Sequence, residues 1–212
     1  MSFGMGNAPQ VAGLILAGGR GERLGGAIKS ELTVGGIRLL DRVTERLRVC
    51  RPLLVAHGRM PPELLRLDKQ LVPVPDLAGD YAGPLAGFAG AIAYLAGMTA
   101  RPELLICAAV DAPFLPADYA ARLTDSLGTH DAAIAVYDGQ PYPTNSIWRI
   151  DRFLDLPARV HAGTAPRSLK SLAAEAGAVT LDWPAASAGD PFANINTPED
   201  LAEMERRATL SP

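Results

Sequence analysis

Val11-Ala12-Gly13-Leu14-Ile15-Leu16 runs straight into Ala17-Gly18-Gly19-Arg20-Gly21-Glu22-Arg23-Leu24-Gly25-Gly26, and Lys29 stands just beyond. A short apolar run that stops at glycines is the pattern of a buried parallel strand. The loop after it places five glycines among the nine positions 18–26, with Arg20 and Arg23 interleaved. Glycine lets the backbone take positive φ and bring its N–H groups close to a ligand. Amides turned inward form an anion-binding nest, and Arg20, Arg23 and Lys29 add full positive charges. A plain glycine turn after a first strand is the simpler explanation. The interleaved cations tip the reading toward a di- or triphosphate ligand.

Working outward, Leu39, Leu40, Val43 and Leu47 recur at helical spacing, with charged residues on the other faces. Pro52 to Ala56 and Leu71 to Val74 read as the second and third strands, with a short helix over Pro61 to Leu67 between them. Gly83 to Met98 reads as a helix of small residues, and Pro84 suits its first turn, where a missing N–H is harmless. Leu104 to Val110 is the most strand-like run and stops at Asp111-Ala112-Pro113; a helix from about Pro116 and a strand over Ala132 to Tyr137 follow. Gln140 to Asn145 reads as a proline-rich loop, Ser146 to Trp148 as a short strand, and Pro166 to Ala176 as a helix. Thr197-Pro198-Glu199-Asp200 opens the last helix, with Thr197 as N-cap and acids over the positive end of its dipole. Alternating apolar strands and helices imply an α/β fold: three layers, a mostly parallel sheet, helices on both faces. Ligands of such sheets bind outside the carboxyl ends of the strands. The glycine loop, Asp76 and Asp111 each fall at such an end.

The 212 residues suit a single domain, and 48% hydrophobic residues imply a packed globule. A net charge of −3 with no lysine/arginine block gives no track for nucleic acid. Cys50 and Cys107, both in apolar surroundings, read as buried free thiols of a reducing compartment. Met1 to Gln10 lacks the basic region of a secretory signal. Tyr81 to Ala100 is uncharged over 20 residues, but Pro84, its glycines and its alanines dilute it below a membrane span. A cytoplasmic protein is expected.

Familiar phosphate motifs fail in instructive ways. No G-x-x-x-x-G-K-[ST] string occurs, and Gly19-x-Gly21 is followed by Gly25, one residue too late for a dinucleotide fingerprint. A dinucleotide-binding reading therefore survives only as a near miss. G-x-S-x-G is absent, so no hydrolase triad is evident. Asp111, at the end of a buried strand beside a phosphate loop, is placed to hold Mg²⁺, which takes one or two carboxylates and completes its shell with phosphate oxygens and water. An Asp-x-Pro turn capping the next helix is the competing explanation. Asp76 and the Asp80-Tyr81-Ala82-Gly83-Pro84-Leu85-Ala86-Gly87 stretch allow close backbone approach to a base or ribose, or simply tight helix–sheet packing. His57, His130 and His161 lack ligand spacing and read as surface or loop residues. Asp190, Asn194 and Asn196 gather at the entrance of the last helix, where a second substrate or the metal would find them.

Four motifs in this order resemble the molybdenum cofactor guanylyltransferases, the MobA family: Leu16-Ala17-Gly18-Gly19-x-x-x-Arg23-x-Gly25-Gly26-x-x-Lys29; Asp76 with Asp80 to Gly87; Asp111-Ala112-Pro113-Phe114-Leu115-Pro116; and Asn194-Ile195-Asn196-Thr197-Pro198-Glu199-Asp200-Leu201. The resemblance implies a GT-A-like, Rossmann-like nucleotidyltransferase fold. It also implies Mg·GTP and molybdenum-loaded molybdopterin as substrates, and the guanine dinucleotide cofactor and pyrophosphate as products, with other proteins of that pathway as possible partners. It divides the single domain into a nucleotide-binding part (about 11–138) and a pterin-side part (about 139–212). By position, Leu16, Ala17 and Gly18 would line the guanine and ribose, Gly19, Arg23, Gly26 and Lys29 would hold the triphosphate, and Asp76 and Gly83 would contact the nucleoside. Asp111 would bind Mg²⁺; Asn194, Asn196 and Asp190 would face the pterin. Arg23, Lys29 and Asp111 would carry catalysis. The acceptor phosphate is already an anion, so no general base is required, and positioning with charge neutralisation suffices.

The sequence departs from the family at three places. Leu24 stands for a usual methionine, Ala56 falls where a family asparagine is found, and Pro141 to Asn145 is no close match. The sister cytidylyltransferases usually carry alanine at the position of Gly18 and aspartate in the C-terminal motif, so Gly18 and Asn196 favour guanine. Sugar-phosphate nucleotidyltransferases are commonly longer. A binding protein without turnover would not require both Lys29 and Asp111.

Overall fold

A computed structural model describes residues 9–77, 83–184 and 189–210, the side chains of 20–22 excepted. Asp80-Tyr81-Ala82 and the Arg20 side chain therefore lie outside the described residues. The chain opens with β1 (Val11–Leu16), then two small ribbons, β2 (Arg20–Gly21) with β3 (Ala27–Ile28) and β4 (Thr33–Val34) with β5 (Ile37–Arg38). α1 (Leu39–Arg46), β6 (Leu53–Ala56), β7 (Leu71–Val74), α2 (Pro84–Ala96), β8 (Leu104–Ala109), α3 (Tyr119–Leu127) and β9 (Ala132–Tyr137) follow. β10 (Gln140–Arg149), α4 (Leu156–His161), α5 (Leu169–Glu175), β11 (Val179–Trp183) and α6 (Pro198–Leu210) complete it.

Seven strands form one sheet in the order β11-β9-β10-β8-β1-β6-β7. Its pairs are parallel except those of β10, which runs antiparallel to β8 and β9. β8 is buried at all six residues, as a strand covered on both faces must be. Leu39, Leu40 and Val43 of α1, Tyr119 and Leu123 of α3 and Met204 of α6 fill one apolar cluster; α2, α4 and α5 fill the other. Helices thus cover both faces, as the alternation of apolar runs implied.

Two local expectations are corrected. Gln140 to Asn145 is strand rather than loop. β10 pairs with β8 only from Ser146 to Arg149, so its proline-bearing half has β9 alone as neighbour, and a register shift between Tyr142 and Ser146 takes up Pro143. Proline is tolerated where one side of a strand is free and at bulges. α4 and β11, both short, were not read from the sequence at all. His57 lies in the loop just past β6, one of the two places expected for it, and is buried there, with Nδ1 2.6 Å from the Met60 carbonyl oxygen.

Candidate active site

The parallel strands β1, β6, β7 and β8 deliver their carboxyl ends to one rim, and a crevice of about 240 Å³ opens there. Leu16, Ala56 and Ala109 line it from three strand ends, joined by Gly18, Gly19, Asp76, Asp111, Asn194 and the start of α2 at Gly83-Pro84. Of the residues expected to bind nucleotide, Leu16, Gly18, Gly19, Asp76, Gly83 and Asp111 meet in this space. Ala17 is instead a fully buried core residue beneath the loop. Arg23 and Gly26 are exposed outside the crevice lining.

Two different needs explain the loop's glycines. Gly25 and Gly26 adopt φ 69° and 78°, a left-handed conformation that side chains disfavour. Gly18 does not. A Cβ there would stand 2.9 Å from the Gly58 Cα, so two backbones touch where the β1 and β6 loops cross. Gly58 itself, at φ 64°, was missed in the sequence, where its only signal is its place just past a strand end.

Lys29 is buried, and its Nζ lies 2.6 Å from Asp111 Oδ2 and 2.7 Å from Asn196 Oδ1. A lysine is rarely buried unless its charge is paired. One ammonium thus ties the glycine loop, the end of β8 and the entrance of α6. The Asp111 carbonyl oxygen accepts the Ile195 N–H at 3.0 Å, which lays the Asn194–Asn196 segment along Asp111. Asn194 Oδ1 is buried without a hydrogen-bond partner. A buried acceptor left unpaired costs about 1–3 kcal/mol unless something completes it. Asp111 and Asn194 therefore bring a carboxylate and an amide oxygen to the same crevice, the hard oxygen donors that Mg²⁺ takes. These residues fit the metal the resemblance implied. Among the described residues no cluster of three or more His, Cys, Asp or Glu side chains is placed to hold a metal without help from substrate.

Asp76 is of another kind. Burial pushes its carboxyl above the usual range, opposed by the Gly58 N–H that it accepts and by the charges of His57 and Arg59. A Cβ on Gly87 would meet Ala56 Cβ at 2.9 Å and Asp76 Oδ1 at 3.1 Å, so α2 presses close at this end. Asp190 is turned to structure: Oδ1 accepts the Phe192 N–H at 2.8 Å and Oδ2 accepts the Tyr142 hydroxyl. At α6 the Asp200 N–H donates to Thr197 Oγ1, while Asp200 Oδ2 accepts the N–H groups of Asn196 and Thr197. This is a reciprocal capping box. Thr144, on the irregular part of β10, also lines the crevice, and the buried Asn145 beside it accepts the Ala109 N–H through Oδ1. Neither was read from the sequence as a site residue, because the strand that carries them looked like a loop.

The model of the MobA-like NTP transferase domain matches residues 13–179, most of the chain and the whole crevice except the Asn194–Asn196 segment. The chain belongs to the MobA-like NTP transferase family. Among its MobA-like relatives, the molybdenum cofactor guanylyltransferase of Bradyrhizobium sp. (strain ORS 278) is 36% identical, the match covering 94% of both chains. The protein of the same name from Nitrobacter hamburgensis is 34% identical, over 95% of this chain and 96% of that one. Among solved structures, the molybdopterin-guanine dinucleotide biosynthesis protein A of Archaeoglobus fulgidus superposes with a TM-score of 0.71, covering 94% of this chain and 99% of that one at 22% identity. A 2-C-methyl-D-erythritol 4-phosphate cytidylyltransferase of Thermus thermophilus gives 0.66 at 20% identity, over 92% and 98%. At those identities the structural likeness speaks for the MobA-like fold alone.

Proposed function

We propose that the protein transfers GMP from Mg·GTP to the terminal phosphate of molybdenum-loaded molybdopterin, releasing pyrophosphate. The observation that carries this reading is near full-length identity of 36% to a molybdenum cofactor guanylyltransferase, with Lys29 and Asp111 paired at the crevice. The nucleoside would lie between Leu16, Gly18, Asp76 and Gly83, and the triphosphate toward Gly19 and Lys29, with Arg23 closing from the exposed side. Asp111 and Asn194 would hold Mg²⁺, which when bound neutralises phosphate charge as it develops. An acceptor phosphate oxygen bonds to the α-phosphorus, the bond to the bridging oxygen breaks, and pyrophosphate leaves with that electron pair. Lys29 supplies positive charge to the departing group, and no residue need take a proton. Of the residues expected on the pterin side, Asn194 lines the crevice, while the Asp190 carboxylate is taken by the Phe192 N–H and the Tyr142 hydroxyl. The buried thiols Cys50 and Cys107, both held above the usual thiol range by burial, suit a reducing cytoplasm. Among the described residues no helix is long and apolar enough to cross a membrane.

Incubation with Mg²⁺, molybdopterin and each nucleoside triphosphate tests this reading. Pyrophosphate release with GTP is expected. Release with CTP and not GTP would move the protein to the cytidylyltransferases, and release with neither would make it a nucleotide-binding protein without turnover.

A further inference from the structure

Asn196 was grouped with Asn194 and Asp190 on the acceptor side of the crevice, but the geometry separates it from them. Its Oδ1 is 2.7 Å from Lys29 Nζ, on an ammonium whose other partner is Asp111 Oδ2 at 2.6 Å. Its own backbone N–H is fixed by Asp200 Oδ2 at 2.8 Å, so the capping box of α6 sets where that amide oxygen points. Lys29 has a long flexible stem, and holding its charge at one place costs rotamer freedom. Two acceptors oppose that loss. Only one of them, Asp111, is also the carboxylate that a metal-bound triphosphate would engage.

We infer that Asn196 is a positioning residue for the phosphate-binding Lys29, so that the C-terminal Asn194–Asn196 segment serves the triphosphate end of the crevice as well as its acceptor end. The two acceptors of Lys29 have separable roles. Asp111 balances the ammonium charge while the crevice is free of ligand. Asn196, being neutral, would keep its hold on Lys29 with Asp111 engaged by a metal ion, without cancelling the charge that the phosphates require. A carboxylate in its place would also hold Lys29 but would offset part of its charge. The inference rests on the nucleotidyltransferase reading only in taking the anion to be a phosphate chain.

Equilibrium binding of Mg·pyrophosphate and of Mg·GTP tests it on the whole chain, in the wild type, Asn196→Ala, Asn196→Asp, Lys29→Met and the Lys29→Met/Asn196→Ala double variant. The Asn196 side chain is exposed and the capping box uses only its backbone N–H, so both Asn196 variants keep the helix entrance. Asn196→Ala is expected to weaken pyrophosphate binding roughly 5–10-fold, Asn196→Asp by more, and Lys29→Met by the most, in line with charge-assisted hydrogen bonds to phosphate. In the Lys29→Met background Asn196→Ala should weaken it by less than twofold further, because its effect runs through the lysine. A purely structural role would lower affinity equally in both backgrounds. Wild-type affinity in Asn196→Ala, or equal losses in both backgrounds, overturns the inference. Pyrophosphate binding with this coupling but no GTP binding upholds the inference and overturns the guanylyl reading. Binding of neither ligand by the wild type overturns both.

Discussion

The two ends of the crevice are built on different physics. At one, Asp76 is half-buried between the Gly58 N–H and the close approach of Gly87, and desolvation raises its pKa. At the other, Asp111 meets the Lys29 ammonium at 2.6 Å, with Asn196 as second acceptor. Both aspartates follow strands of the same parallel sheet, β7 and β8, with β1 and β6 between them, yet one sits in a shape-selecting wall of backbone and methyl groups and the other in a charged cluster. The glycine-lined end can discriminate by fit, where one extra methyl group decides. The charged end can neutralise phosphate but has little means of telling one base from another. Specificity and chemistry are therefore separable by substitution.

Asp111→Ala attacks the charged end directly and should lower kcat about 10³-fold, the scale of losing one electrostatic group that acts in the transition state. Steady-state pyrophosphate release measures it, and a near-normal rate would remove Asp111 from the metal site. Gly87→Ala attacks the packed end. The added Cβ must displace Ala56 Cβ or Asp76 Oδ1. Overpacking of about 1–3 kcal/mol, offset by up to about 1 kcal/mol of helix propensity, leaves a net loss of roughly 1–2 kcal/mol in urea unfolding. KM for GTP should rise with little change in kcat. Gly18→Ala bears on selectivity. Its backbone conformation accepts alanine, and the 2.9 Å contact with Gly58 forces the loop after β6 to move. GTP affinity should fall roughly tenfold, the range of a single methyl group in a pocket, with the CTP to GTP ratio rising. An unchanged ratio would take base selection away from this wall.

The smallest effects are pH slopes. Asp76 has a folded pKa raised by burial above the unfolded value of about 4, so its contribution to stability is present below that pH and is lost as pH rises through the folded value. Asp200 behaves oppositely. The Asn196 N–H first, with the Thr197 groups and the nearby Lys29 charge, lowers its pKa, so its contribution is present above about pH 4 and is lost as pH falls through the folded value. Unfolding midpoints between about pH 3 and 6 should show Asp76→Asn removing the loss on raising pH and Asp200→Asn removing the loss on lowering it. Parallel profiles for the two variants would erase the distinction between the crevice wall and the helix cap.

Much of this was legible in the chain. Val11 to Leu16, Leu104 to Val110 and Ala132 to Tyr137 are apolar because strands covered on both faces contact only side chains, and that alone marks a three-layer parallel sheet. Glycines, Asp76 and Asp111 at strand ends followed from the rule that such sheets bind ligands there. Thr197-Pro198-Glu199-Asp200 named its own cap because capping is a local exchange of hydrogen bonds. What stayed hidden depends on contacts between residues far apart in the chain. β10 is a strand because β9 pairs with it past the end of β8, which no composition of Gln140 to Asn145 reveals. Gly18 needs to be glycine because Gly58 arrives from another loop, and only folding sets that distance. Asn196 meets Lys29 across 167 positions of sequence, because the loop leading into α6 returns to the carboxyl edge of the sheet. Local periodicity and turn chemistry determined which elements form and where the ligand edge lies; the tertiary structure decided which side chains share that edge, because an ammonium chooses its partners by distance and not by order in the chain.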